Sequence, residues 1–301
     1  MTNPSQTLAE LNAKFAIADR LRFDLQPSGL IVGQVKSENC QGQFFLHGAH
    51  VTHFEPARAT HPLLFMSKES LFADDKPIRG GIPICFPWFG PSSNPGAPAH
   101  GWARVANWIV SSTSATDNSV TVVLEMSHAP FDLRYRIRFG DTLTTELTAT
   151  NRSDDEVTCE VALHTYFAVG SIDAVSVHGP LEELPFLDQL TGETRPATGE
   201  SIRFTQETDR VYQGEAPTIL LTDNSWNRTI EITSWGSCST VVWNPWIAKS
   251  QRMADFGDEE YRSMVCVETA NVKDRRIVLG PNRASTTCVT LNLRSPRTTD
   301  F

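Results

Sequence analysis

The chain has six cysteines but no C-x-x-C pair among them, so neither a zinc knuckle nor a redox dithiol is signalled. It has no apolar run near the roughly 18 residues that a bilayer-spanning helix needs, so no membrane partner is expected. Met1 to Gln6 carry neither a basic flank nor an apolar stretch, which speaks against a secretory signal. Six reduced thiols in the cytoplasm are therefore expected. Positive charge is also scarce, with 26 basic against 35 acidic residues and a net charge of −9. Nucleic acids and anionic membranes attract basic surfaces, so neither is an expected partner. An anionic small molecule stays possible, because a few arginines can set the field inside a cleft. H-E-x-x-H, a P-loop and G-x-S-x-G are all missing, and Gly80-Gly81 is too short for a dinucleotide fingerprint.

Helical periodicity is nearly absent too. Leu8, Leu11 and Phe15 suggest one amphipathic helix over residues 6–18. Beyond it, short runs of β-branched and aromatic residues alternate with Gly, Pro, Asn and Asp. Examples are Leu30-Ile31-Val32, Val120 to Leu124, Leu143 to Thr150, Thr229 to Ile232 and Val289 to Leu293. Such spacing predicts an all-β sandwich. Asp132 to Phe139 alternates polar and apolar, giving one wetted and one packed face of an antiparallel strand, with a turn at Gly140-Asp141. Pro87 to Pro98, rich in Pro and Gly, predicts a loop. Nothing in the composition marks a boundary, so residues 1–301 are expected to form one domain. Its core should run from about 22 to 294, with the N-terminal helix and a frayed Arg294–Phe301 tail at the periphery. No exposed apolar stripe calls for a second copy, and a monomer is expected.

His47, His50 and His53 have the spacing of metal ligands on a helix. Phe44 to Leu46 and Val51-Thr52 predict a strand instead, on which positions three apart face opposite sides, and no metal is expected there. Four other segments set charged or titratable groups inside apolar surroundings. They are Arg79 to Gly90, His100-Gly101-Trp102-Ala103-Arg104, Leu163-His164-Thr165-Tyr166-Phe167 and Val265-Cys266-Val267-Glu268-Thr269. A buried ionisable group costs free energy unless it is paired, so it has a partner or a task. Glu268 stands out, on the same strand face as Cys266. A salt bridge to an arginine in the core is its plain alternative, and the residues alone leave both possibilities open. Trp243 and Trp246 could wall a sugar ring or simply fill a strand end.

Taken in order, and together with Thr208-Asp209-Arg210-Val211-Tyr212 and Cys266 to Ala270, these segments resemble the glucose-6-phosphate 1-epimerase (hexose-6-phosphate mutarotase) family. Its members are relatives of the galactose mutarotases. The resemblance runs from about residue 30 to 293. It implies a large antiparallel β-sandwich of the galactose mutarotase-like supersandwich type, with the active site in a cleft on one sheet. It implies an isomerase that interconverts the α and β anomers of D-glucose 6-phosphate, with no cofactor, no metal and a small sugar phosphate as partner. His164 and Glu268 match the catalytic pair, Arg79 and Arg104 the phosphate-binding arginines, and Asp209 a carboxylate that holds sugar hydroxyls. His100 is expected beside the arginines in the same pocket. Ala99 departs from the pattern, since yeast-like members carry Gln there, and this bears on sugar selectivity. Two rivals remain: a 1-epimerase of unphosphorylated aldoses, and a carbohydrate-binding protein without catalysis.

The chemistry suits these residues. Opening a hemiacetal needs a proton taken from the C1 hydroxyl and one delivered to the ring oxygen, which two titratable side chains can do. Glu268 is expected as the base and His164 as the acid, on opposite sides of that unit and across a sugar-sized gap, with guanidinium groups at one end. A histidine titrating near its ordinary value would serve at neutral pH, and partial burial would lift the carboxylate into a useful range.

Overall fold

The computed structural model describes residues 6–294. The part of the tail beyond Arg294 lies outside the described residues. Thr7 caps a helix over Leu8–Phe15, its hydroxyl accepting from the Glu10 N–H while the Glu10 carboxylate accepts from the Thr7 N–H. This is shorter than the expected 6–18, but Leu8, Leu11 and Phe15 do turn toward the core. No helix among the described residues is long and apolar enough to cross a membrane.

Apart from one short helix and a few 3₁₀ turns, the remaining regular structure is antiparallel strand. Two eight-stranded sheets dominate, with a four-stranded sheet, residues 21–56, beside them. The back sheet runs Val175–His178, Thr218–Asp223, Arg228–Trp235, Ala284–Arg294, Thr142–Asn151, Phe131–Phe139, Ser119–His128, Ile109–Thr116. Phe131–Phe139 shows the expected alternation: Leu133, Tyr135, Ile137 and Phe139 are buried while Asp132, Arg134, Arg136 and Arg138 take the other face. The second sheet, called here the cleft sheet, is ordered Glu193–Arg195, Phe186–Asp188, Thr208–Gln213, Ser239–Asn244, Met264–Asn271, Val161–Leu163, Ile84–Cys85, with Tyr166–Ala168 also pairing Met264–Asn271. Its inward residues Tyr212, Val242, Val265 and Val267 share one apolar core with Leu143, Leu147, Ile230 and Leu291 of the back sheet. The fold is thus an all-β antiparallel sandwich. All six cysteines are unpaired, and all but Cys238 are buried.

One expectation needs correcting. His47 to His53 do not lie on a single strand. Cys40–Phe45 and His50–Pro56 pair as a hairpin around a turn that uses positive φ at Gly48 (71°) and Ala49 (47°), and His47 sits in that turn. His47 and His50 each donate Nε2–H to a backbone carbonyl, of Lys76 and Gly80, at 2.7 Å. Burial holds both imidazoles below the ordinary value, His50 down to about 3, so both are neutral supports of the turn.

Candidate active site

Antiparallel register explains how residues far apart in sequence meet. Residues directly opposite each other across such a pair share a face, with their Cβ atoms close. Asp209 pairs Trp243, and Trp243 pairs Cys266, which pairs Tyr166. One row along the strands, Val211 pairs Val241, which pairs Glu268. These two rows lie on the outward face of the cleft sheet, opposite the face built on Val242, Val265 and Val267.

His164 completes the second row. Leu163 pairs Thr269 and Tyr166 pairs Cys266, so the common register sets 164 opposite 268. The ladder breaks at this point, and the His164 N–H donates to Pro83 O at 3.0 Å instead. His164 Nε2 and Glu268 Oε1 are 3.3 Å apart, the histidine side chain 9 % exposed and the glutamate 0 %. The angles do not make this a hydrogen bond. Both carboxylate oxygens and His164 Nδ1 have no hydrogen-bond partner among the described residues. Tyr166 stacks on the imidazole at 4.7 Å between ring centroids.

The walls come from segments outside the ladders. Positive φ at His100 (60°) and Gly101 (76°) lets the 100–101 turn lie against the strand end at Phe86. A Cβ on Gly101 would stand 1.9 Å from Phe86 O, so only glycine fits. His100 Nδ1 accepts the Gly90 N–H at 3.3 Å, which leaves Nε2–H as its free donor. Burial, then Arg104 and Arg79, hold His100 neutral at about 3. The short 3₁₀ turn Ala103–Val105 carries Arg104 inward. The Arg104 guanidinium donates Nη2–H to Ala99 O at 2.8 Å, its Nε has no partner, and no carboxylate lies within 4.0 Å among the described residues. Burial foremost lowers its basicity. Arg79 is different. Its Nε and Nη2 both donate to Asp255 Oδ2, at 3.1 and 3.0 Å, and Nη1 to the Tyr166 hydroxyl at 3.0 Å. Burial opposes its charge, but Tyr166 and Asp255 outweigh that.

These residues line a cavity of about 470 Å³, a size usual for small-ligand sites. Arg79, His100, Arg104, His164, Asp209 and Glu268 all face it. Trp243 faces it too, whereas Trp246 packs against Tyr261 instead. The expected Pro-rich loop forms and supplies Phe89, Gly90 and Pro91. Sequence reasoning missed Gln189, Lys249 and Met253 as lining residues, and Asp255 as partner of Arg79. Gln189 donates to Asp209 Oδ1 at 2.6 Å, and Lys249 Nζ lies 3.6 Å from Asp209 Oδ2. Nothing in their sequence surroundings marks them. Tyr166 stood within a quoted motif, two residues from His164, and its hydroxyl and ring were the available signal.

Two details of the expected geometry are corrected. His164 and Glu268 are not separated by a sugar-sized gap on opposite sides of a hemiacetal. They touch, side by side on one wall, because strand register fixes them as a cross-strand pair. Nor does the histidine titrate near its ordinary value. Burial, then His100, Arg104 and Arg79, hold it well below, while burial and Asp209 push Glu268 well above the usual carboxylate range against the pull of Arg104.

The aldose 1-epimerase family model matches residues 34–290. The chain belongs to the aldose 1-epimerase family. As a member it is an isomerase that exchanges the anomers of a sugar. Relatives from Cenchrus ciliaris and Escherichia coli K12, each named "Putative glucose-6-phosphate 1-epimerase", are 34 % and 33 % identical to this aldose 1-epimerase. Each alignment covers 85 % of the chain, and 82 % and 88 % of the respective relative. Among solved structures, a Salmonella typhimurium protein described as a "putative mutarotase" superposes with a TM-score of 0.85 at 29 % identity, over 95 % of this chain and 99 % of that one. The fold of this aldose 1-epimerase is thus that of the galactose mutarotase-like sandwich.

Proposed function

We propose that this aldose 1-epimerase acts on D-glucose 6-phosphate, with Glu268 taking the proton from the C1 hydroxyl and His164 delivering one to the ring oxygen. The observation that carries this is the contact pair itself: two titratable groups, 3.3 Å apart, buried yet open to the cavity, with their polar atoms unpartnered. Both hemiacetal oxygens hang on one carbon, so a donor and an acceptor side by side suit them better than two groups facing each other. Burial favours carboxylic acid with neutral imidazole at rest, so the proposed sense of opening follows transfer of the pair's one proton from Glu268 to His164. Ring opening uses the pair in one sense, rotation about C1–C2 turns the aldehyde, and closure uses the pair in reverse.

Arg104 supplies the case for the phosphate. It is a desolvated cation with one neutral acceptor, and an arriving dianion would meet its unfilled guanidinium fork. Arg79 contributes its two N–H groups not taken by Asp255 and Tyr166. Asp209, oriented by Gln189 and Lys249, accepts from sugar hydroxyls. The relatives' names point to the same substrate. Anomer-exchange NMR with glucose, galactose and mannose 6-phosphates beside the free sugars tests the proposal. Faster exchange of glucose 6-phosphate than of glucose is expected. Equal or faster exchange of the free sugars would instead make this a 1-epimerase of unphosphorylated aldoses.

A further inference from the structure

The reacting pair has a third neighbour that the isomerisation does not need. Cys266 lies two residues before Glu268 on the same strand face, buried among Tyr166, Trp243 and Met264. A ring nitrogen of His164, Sγ of Cys266 and a carboxylate oxygen of Glu268 all lie within 4.8 Å of one another. We infer that these three side chains form a binding site for a thiophilic divalent cation, zinc above all, and that a cation bound there blocks the sugar site.

The geometry is close to what zinc requires. Nitrogen and oxygen ligands about 2.0–2.1 Å from a tetrahedral ion stand about 3.3 Å from each other. His164 Nε2 and Glu268 Oε1 already have that spacing. A thiolate at about 2.3 Å from the ion would stand about 3.6 Å from each of the other two ligands. Sγ lies within 4.8 Å of both and therefore has to close by at most about 1.2 Å. Three protein ligands leave the fourth position open toward the cavity, the usual arrangement of an accessible zinc site. The unpartnered carboxylate oxygens supply lone pairs that no hydrogen-bond donor among the described residues uses.

Charge decides whether a cation can stay beside two arginines. Binding releases two protons, one from the thiol and the one held by the His164–Glu268 pair, so thiolate and carboxylate contribute two negative charges and cancel the two positive charges of the ion. Imidazole and thiolate donors favour zinc, cobalt and cadmium, whereas magnesium and calcium prefer sets made only of oxygen. The block on catalysis rests on the proposed roles of His164 and Glu268, since the cation would occupy the lone pairs those roles require. Occupation of the site itself does not depend on those roles.

Cobalt titration of the full chain reads occupation directly, through the near-ultraviolet charge-transfer band of a thiolate bound to cobalt. One equivalent should develop the band, zinc should abolish it, magnesium should not, and excess glucose 6-phosphate should suppress it. Cys266→Ser should lose the band and bind zinc more than about tenfold more weakly, while exchanging anomers at the wild-type rate without metal. In the wild-type protein, zinc should slow anomer exchange in step with loss of the band. No band in the wild type, or a band unchanged in Cys266→Ser, would overturn the site. Should Cys266→Ser not fold, a band that develops in His164→Ala at the same cobalt concentration as in the wild type would overturn it equally. A band dependent on Cys266 with undiminished anomer exchange would uphold the site and overturn the roles given to His164 and Glu268.

Discussion

Replacing Arg104 by methionine should separate binding from stability in a way few cleft substitutions do. Arg104 is 7 % exposed, and among the described residues its guanidinium has one hydrogen bond, to Ala99 O, and no carboxylate within 4.0 Å. Its charge is desolvated without compensation, which favours its replacement by an apolar side chain of similar length. Ala99 is exposed, so its carbonyl can turn to water. Arg104→Met should therefore keep, or slightly raise, the urea midpoint of unfolding. Phosphate recognition should suffer. A hydrogen bond to a charged group contributes about 1.5–3 kcal/mol, which at about 1.4 kcal/mol per decade weakens glucose 6-phosphate roughly 10- to 150-fold. Free glucose makes no such contact and should change little. The assay is exchange between anomers, followed by NMR over a range of both sugars, with KM and kcat taken separately. An equal loss on both sugars, or a fall in the unfolding midpoint with unchanged KM, would show that Arg104 serves the fold.

Asp255→Asn removes the charge that occupies Arg79 while keeping an oxygen to accept from it. Inorganic phosphate should then inhibit several-fold more tightly, and unchanged inhibition would mean that Arg79 does not meet the anion. Gly101→Ala sets a Cβ 1.9 Å from Phe86 O at a φ of 76° and should cost more than about 2 kcal/mol in urea unfolding, with activity lost in what remains folded. Asn151→Leu tests the structure away from the site. Nδ2 donates to Asp155 O, Leu279 O and Gly280 O from a fully buried position, so about 2–3 kcal/mol of stability should go while the folded fraction keeps its kcat.

The β class was legible because alternation is a local property: the buried and wetted faces of Phe131–Phe139 can be read from eight successive residues. Arg79, His100, Arg104, His164 and Glu268 were legible as ionisable groups stranded among apolar ones, Asp209 only through the family resemblance, and all six line one cavity. Their mutual geometry was not. That His164 touches Glu268 follows from a shared register between strands about a hundred positions apart, which no local pattern records. His47 was misplaced because a turn using φ of 71° and 47° interrupts a run that reads as continuous strand. Lys249 and Asp255 escaped notice because they come from the helix Trp246–Ser250 and the segment after it, where a lysine and an aspartate look like ordinary solvated charges.

The central claim is that sugar opening happens where His164 meets Glu268. Glu268→Gln keeps the shape of the side chain and removes its capacity to hold a transferable proton. With circular dichroism and urea unfolding confirming a folded protein, exchange between the α and β anomers of glucose 6-phosphate should fall by at least about a hundredfold, since proton transfer by one such group contributes about 10²–10⁴ in rate. Exchange within a few-fold of the wild type in that folded variant would contradict the account.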